Sequence, residues 1–171
     1  NQSGDILAYH DRSDGGLVVT LTEMSFAGRV GITIDIAQSA SKLMATLFNE
    51  ELGAVIQVRS KDCSKIVERF REAGVIALDI GTLNNDDLIC IKAHGELVFT
   101  EPRSNLEQIW AETSYRMADL RDNSECAKEE FSKALVSDPG LSVGLSYDPE
   151  EKVLAPAILS GAKPRVAILR E

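Results

Sequence analysis

Apolar and polar positions follow two rhythms along most of the chain. Ile6 to Tyr9 is a short apolar run and predicts a strand. His10 to Gly16 is a polar, glycine-containing turn, with Asp14 placed to cap the helix after it. Leu17, Leu21 and Met24, with Val18 alongside, recur at helical spacing, and Gly28 is the expected stop. Ile32, Ile34 and Ile36 alternate with Thr33 and Asp35, the period of a half-buried strand. Leu43, Met44, Leu47 and Phe48 give one helical face, and Ala54 to Arg59 a second strand of this kind. Cys63, Ile66, Val67 and Phe70 line the inner face of an amphipathic helix whose outer face carries Glu68, Arg69 and Glu72, with Gly74 closing it.

The alternation of Ile76, Leu78 and Ile80 predicts a third alternating strand, and Asn84 to Asp87 a turn. Leu88 to Ala93 and Leu97 to Thr100 flank His94-Gly95, a two-residue hairpin signal. Ser104 and Glu107 read as a capping box at the head of a long helix with an apolar stripe of Leu106, Ile109, Trp110, Thr113, Met117 and Leu120. A shorter helix is expected around Cys126 to Leu135. Helices alternate with strands and end in a hairpin, which favours an α/β sandwich with a mixed sheet over a purely parallel one. The expected core is Leu17, Leu21, Met24, Ile32, Ile34, Ile56, Val58, Ile66, Phe70, Leu78, Ile80, Ile109, Trp110 and Met117.

From Ser137 to Lys163 the pattern fails, and Asp138-Pro139-Gly140, Tyr147-Asp148-Pro149 and Ala155-Pro156 punctuate it. This stretch reads as an extended linker lying on a neighbour's surface. Val166 to Leu169 is a continuous apolar run, as in a strand covered on both faces. Asn1-Gln2-Ser3 without a starting Met, and a last strand with nothing after it to cover it, read as cut ends of a longer polypeptide.

Composition narrows the possibilities further. At 171 residues and 44% hydrophobic, the chain can bury one sizeable core without disulfides or a structural metal. No apolar run approaches the length of a membrane span. A net charge of −9 with no basic patch argues against binding a nucleic-acid backbone. Cys63, Cys90 and Cys126 match no zinc spacing. Cys63 and Cys90 read as small buried hydrophobes, which suits a reducing cytosol.

The dense polar cluster before a helix start is His10-Asp11-Arg12-Ser13-Asp14-Gly15-Gly16. A helix N-terminus offers N–H groups and partial positive charge to an anion, and two glycines let a ligand approach the backbone. Ser13 brings a hydroxyl, and Asp11 a hard oxygen for Mg²⁺ carrying phosphates. On spacing alone a well-capped turn, with Asp14 as cap and Asp11 in solvent, is the commoner outcome. His10 is a possible general base, though a histidine with no partner in view is more often structural. His94, at a hairpin tip, is expected in solvent. Leu47 to Gly53 reads as a polar loop entering a strand. Phe70, Phe99 and Trp110 fall on core faces and offer no base-stacking platform. No G-x-S-x-G, Walker A, G-x-G-x-x-G or H-E-x-x-H motif occurs.

Longer matches carry more weight than spacing. They are His10 to Leu17 with Leu21 to Gly28, Leu47 to Val58, Trp110 to Tyr115, Leu120 to Asn123, Asp138 to Leu141 and Ala162 to Glu171. Together they resemble the large, single-chain phosphoribosylformylglycinamidine synthase family of purine biosynthesis. The resemblance implies the second of two aminoimidazole-ribonucleotide (AIR)-synthetase-like C-terminal halves over 1–136, a linker over 137–163, and the first strand of a glutaminase domain over 164–171. The parent reaction it implies converts formylglycinamide ribonucleotide to formylglycinamidine ribonucleotide, consuming glutamine and ATP. It also implies a structural ATP/ADP and Mg²⁺ site, with Asp11 as one metal ligand and Ser13 as one nucleotide contact. The remaining ligands lie in the preceding half, and no catalytic residue lies in this chain.

The partners so implied are the other synthetase and glutaminase domains of one cytoplasmic polypeptide, with small-molecule substrates and neither nucleic acid nor membrane. A lone carboxylate holds Mg²⁺ poorly, so the chain by itself is expected to bind neither metal nor nucleotide tightly. The competing class is a small free-standing α/β module that binds a ligand or partner and catalyses nothing.

Overall fold

A computed structural model of the chain describes residues 4–37, 40–136 and 142–150. The chain divides into two compact units, 1–137 and 138–171. In the second, residues 142–150 form neither helix nor strand, and a turn is held by the Glu150 amide donating to Asp148 Oδ1 at 2.9 Å. The rest of the expected linker and the strand expected over 164–171 lie outside the described residues.

The first unit runs β1 (Ile6–Asp11), α1 (Gly16–Gly28), β2 (Gly31–Ile36), α2 (Ala40–Phe48), β3 (Ala54–Val58), α3 (Cys63–Glu72), β4 (Gly81–Asn84), β5 (Leu88–Ala93), β6 (Glu96–Pro102), α4 (Arg103–Arg121) and α5 (Ser124–Ser132). Strands β4-β2-β5-β6 make one mixed sheet, in which only the β2–β5 pair is parallel. β1 and β3 form a separate antiparallel ribbon. The α/β fold with a mixed sheet is therefore the one the alternation implied, though it divides its strands between two sheets.

Period-two patterning builds the core. Ile32, Ile34 and Ile36 of β2 stand opposite Ile89, Ile91 and Ala93 of β5, and all six are buried on one face. Leu17, Leu21 and Phe26 of α1 and Leu43 and Leu47 of α2 complete this cluster. Ile89 is wholly buried, a position where an isoleucine contributes about 1.5–3 kcal/mol. Thr33, Asp35, Cys90 and Lys92 alternate onto the less covered face.

Several expectations are corrected by tertiary context. The strand expected at Ile76 to Ile80 forms later, at Gly81–Asn84; Ile76 and Leu78 are 89% and 76% exposed. Only the Ile80 carbonyl extends the ladder, accepting from the Asp35 amide at 2.8 Å. Alternation marks a chain able to be a strand, but the reach of its β2 partner decides where pairing starts.

The α4 stripe is likewise uncovered: Ile109, Trp110, Met117 and Leu120 are all exposed. A helix of 19 residues is about 28 Å long and overhangs what it packs on. Leu106 reaches the core, Trp110 leans on Phe26 with ring centroids 5.8 Å apart, and Tyr115 stacks on Phe131 of α5. Phe99 is exposed as well, and Phe70, Cys63 and Cys90 are only partly buried.

The expected caps also fail. α1 is preceded by Gly15 in the left-handed region (φ 82°) with no side-chain cap, so Asp14 is not the cap. α4 starts at Arg103, directly after Pro102, and Glu107 turns to Arg103 rather than to Ser104. The buried Arg103 is shared between Glu107 and a fork on Asp87, whose Nε–Oδ1 distance is 2.6 Å. The short last helix starts at Ser124 and is capped by Asn123, whose side chain accepts from the Cys126 amide at 3.0 Å.

Gly74 does close α3 as expected. At φ +75° it donates to Arg71 O, while Val75 donates to Phe70 O. Beyond this turn Cys63 Sγ meets Asp79 Oδ2 at 3.5 Å. Desolvation pushes the Cys63 thiol up, and the hydrogen bond and charge of Asp79 act in the same direction.

Two glycines separate backbone freedom from space. Gly16 has φ +69°, and a Cβ there would lie 2.7–2.8 Å from backbone atoms of Leu47, Phe48 and Asn49; Gly74 has a similar φ with open space. Gly74→Ala should cost about 1 kcal/mol and Gly16→Ala at least about 3 kcal/mol in urea unfolding. Equal losses would mean that the 47–49 backbone yields freely. For the thiols, a raised Cys63 leaves less thiolate at neutral pH, so iodoacetamide should label exposed Cys126 first. Asp79→Asn should speed Cys63 labelling, read by peptide mass spectrometry; an unchanged rate would mean that Asp79 does not restrain the thiol.

Candidate functional site

The two polar segments singled out in the sequence, 10–16 and 47–53, meet at one place. β1 ends where β3 begins, with Asp11 opposite Ala54. The ladder gains one more bond as the Arg12 amide donates to Gly53 O at 2.8 Å. Gly15 and Gly16, both at positive φ, then turn the chain into α1, and the Gly16 amide donates to Ser13 O at 2.9 Å. Gly16 lies directly on the backbone that ends α2. Glu50 Oε1 accepts from the Gly15 amide at 2.9 Å, and Asn49 Oδ1 from the Glu51 amide at 2.7 Å. The 47–53 segment, expected as a plain polar loop, is thus half of the site. Glu50 supplies the side-chain acceptor near the head of α1 that Asp14 was expected to give.

Asp11 and Ser13 both face solvent. The Asp11 carboxylate is 70% exposed, and its Oδ1 lies 3.9 Å from His10 Nδ1. The Ser13 hydroxyl is exposed and makes no hydrogen bond among the described residues. Arg12 packs its guanidinium over Gly53, and its buried Nε has no acceptor among the described residues. His94 is exposed at the β5–β6 hairpin tip, as expected.

Glu23 was missed by sequence reasoning. His10 has a partner after all: its Nε2 lies 2.9 Å from Glu23 Oε2, and its Nδ1 donates to Asp11 O at 2.7 Å. Partners therefore stand at both ring nitrogens, a carbonyl at Nδ1 and a carboxylate at Nε2. Glu23 Oε1 accepts from Trp110 Nε1 at 2.9 Å. The available signal was a charged residue one turn beyond Thr20 on the buried side of α1.

The donor set limits the chemistry. Among the described residues no three His, Cys, Asp or Glu side chains gather to hold a metal ion. One exposed carboxylate does not make an octahedral Mg²⁺ site, so these residues supply at most one ligand to such an ion. Among the described residues no helix is long and apolar enough to cross a membrane.

Comparison with known proteins agrees with this fold. Over 61% of the chain it superposes on Thermotoga maritima PurL complexed with FGAR, at a TM-score of 0.55 and 17% identity, covering 18% of that chain. PurL of the same organism complexed with ADP gives 0.55, 17% identity, and 61% and 19% coverage. The PurLQS structure from Thermotoga maritima gives 0.54, 16% identity, and 60% and 18% coverage. The chain thus spans about a fifth of the length of these PurL chains. The sequence model of one family, AIR synthase related protein, C-terminal domain, matches residues 1–92, which contain both polar segments of the site and more than half of the chain. On that match the chain belongs to the AIR synthase related family, as its C-terminal domain.

Proposed function

We propose that this chain is a fragment of a phosphoribosylformylglycinamidine synthase of the large single-chain type, covering the second of its AIR-synthetase-like C-terminal halves and the linker to the glutaminase domain. In this reading Asp11 gives one ligand to a Mg²⁺ ion, Ser13 contacts the nucleotide that the ion accompanies, and the bound nucleotide is structural. The other metal ligands come from the preceding half of the synthetase. A glutaminase domain of the same cytoplasmic polypeptide supplies ammonia. The parent reaction activates the amide oxygen of formylglycinamide ribonucleotide with ATP, and ammonia then displaces phosphate. None of the residues described here performs that chemistry.

The observation that carries the reading is the division of labour in the His10–Gly16 loop. Gly15, Gly16, Arg12 and Glu50 hold the turn through backbone contacts. Asp11 and Ser13 present an exposed carboxylate and hydroxyl that the fold does not use. Polar groups with no folding task, on a loop fixed by a rigid scaffold, suit ligand binding.

Thermal melting of two proteins tests this. In the 171-residue chain, Asp11→Ala and Ser13→Ala should move the melting temperature by less than about 2 °C, as for ordinary surface changes. In the whole synthase polypeptide, Asp11→Ala should lower both the melting temperature and the content of co-purified nucleotide, because a ligand bound only to the folded state stabilises it. A loss in the short chain as large as that of Gly16→Ala would make Asp11 a turn residue and overturn the proposal. The purified chain should also lack synthetase and glutaminase activity; steady glutamine-dependent ATP turnover by clean protein would favour a different assignment of the catalytic groups.

A further inference from the structure

Glu23 stands where three elements meet. It is partly buried on α1, with one oxygen 2.9 Å from His10 Nε2 at the end of β1 and the other accepting from Trp110 Nε1 of α4. The second nitrogen of His10 donates to the carbonyl of Asp11. A continuous chain of hydrogen bonds therefore runs from α4 through α1 to the peptide that carries the candidate metal ligand. Contact of Trp110 with Phe26 fixes the far end by packing.

We propose that Glu23 is a positioning residue: acting through His10, it sets the Asp11 peptide and makes α4 part of the frame of the site. α4 lies beyond residues 1–92, the stretch that the family's sequence model matches. The inference rests on the functional reading above in one respect, that Asp11 faces a ligand.

The physical case is one of restraint. Asp11 is the last residue of its strand and is followed by a loop with two positive-φ glycines. On one side the loop is held by Arg12 on Gly53 and Gly15 on Glu50; on the other, the Asp11 carbonyl is held by His10 and, at 3.5 Å, by the Thr20 hydroxyl. A carboxylate that accepts from two side chains on different elements is confined to one rotamer, so it fixes both partners at once. Mg²⁺ demands near-ideal octahedral geometry, so small displacements of a ligand are costly to binding. A Glu23 that served folding alone would change stability and leave ligand affinity intact.

The test combines exchange and binding in Glu23→Ala, Glu23→Gln, Trp110→Phe and Asp11→Ala. In the 171-residue chain, Glu23→Ala should speed hydrogen exchange of the Asp11–Gly16 amides about tenfold, the scale of a lost hydrogen bond to a charged group. It should also shift the emission of Trp110, the single tryptophan. In the whole synthase polypeptide, equilibrium dialysis with ADP and Mg²⁺ should show about tenfold weaker binding for the same variant. Glu23→Gln, whose amide oxygen keeps accepting from Trp110 and whose N–H can donate to the His10 Nε2 lone pair, should recover most of both effects. Trp110→Phe, which keeps the ring and loses the N–H, should fall between.

Wild-type exchange and wild-type ADP affinity in Glu23→Ala and Trp110→Phe, alongside loss of ADP in Asp11→Ala, would overturn the positioning role while leaving the functional reading standing. If Asp11→Ala itself kept ADP, the functional reading would fail. The proposed role in ligand positioning would then fall with it, while exchange at Asp11–Gly16 would still decide whether the hydrogen-bond chain restrains the loop. If Glu23→Ala proves too unstable to assay, Trp110→Phe carries the decision, and wild-type exchange with wild-type ADP affinity in it overturns the role.

Discussion

The fold turns on one close approach of two backbones. Gly16 sits against the last residues of α2 so tightly that no Cβ fits between them. This contact places the head of α1 at the tail of α2, and both helices then cover the isoleucine face of the mixed sheet. It also fixes the exit of β1 beside the entry to β3, because Arg12 and Gly53 extend the ribbon by one bond just short of the same turn. A side chain at that glycine would push apart two helices, a ribbon and the site loop together. Close-packed interiors transmit such a displacement rather than absorb it.

The polar groups around this junction are arranged for restraint. A two-stranded ribbon is marginal by itself in water, so β1 and β3 depend on what they are tied to. His10 ties the ribbon to α1 through Glu23, and Glu23 ties α1 to α4 through Trp110. On the other side of the sheet connections, Arg103 joins the β4–β5 turn to the first turn of α4 through Asp87 and Glu107. Removing that cation would leave Asp87 and Glu107 without the partner they share. Arg29 adds a third tie: left-handed at the end of α1, it donates through its guanidinium to the carbonyls of Lys133 and Val136. Long helix α4 is thus fastened at its base and through α5, while its apolar stripe stays in solvent along Met117 and Leu120.

The sequence by itself determined the elements whose signal is local. Three isoleucines at period two gave β2, the His94-Gly95 pair gave the β5–β6 hairpin, and Gly74 gave the end of α3, because each depends on backbone preferences of a few neighbouring residues. It also singled out His10 to Gly16 as a polar, glycine-broken turn, while Leu47 to Gly53 read only as a polar loop. Tertiary structure alone decided the rest. Partner reach moved a strand from Ile76–Ile80 to Gly81–Asn84, and helix overhang left Ile109 and Met117 outside the core. Capping passed from Asp14 to backbone contacts, and an acid from another segment came to face the Gly15 amide. His10, Glu23 and Trp110 met only because strand, helix and second helix pack together, and separation along a chain carries no information about such meetings. Period and turn chemistry are properties of short stretches, whereas the pairing of a buried polar group depends on which surfaces the whole fold brings within hydrogen-bond distance.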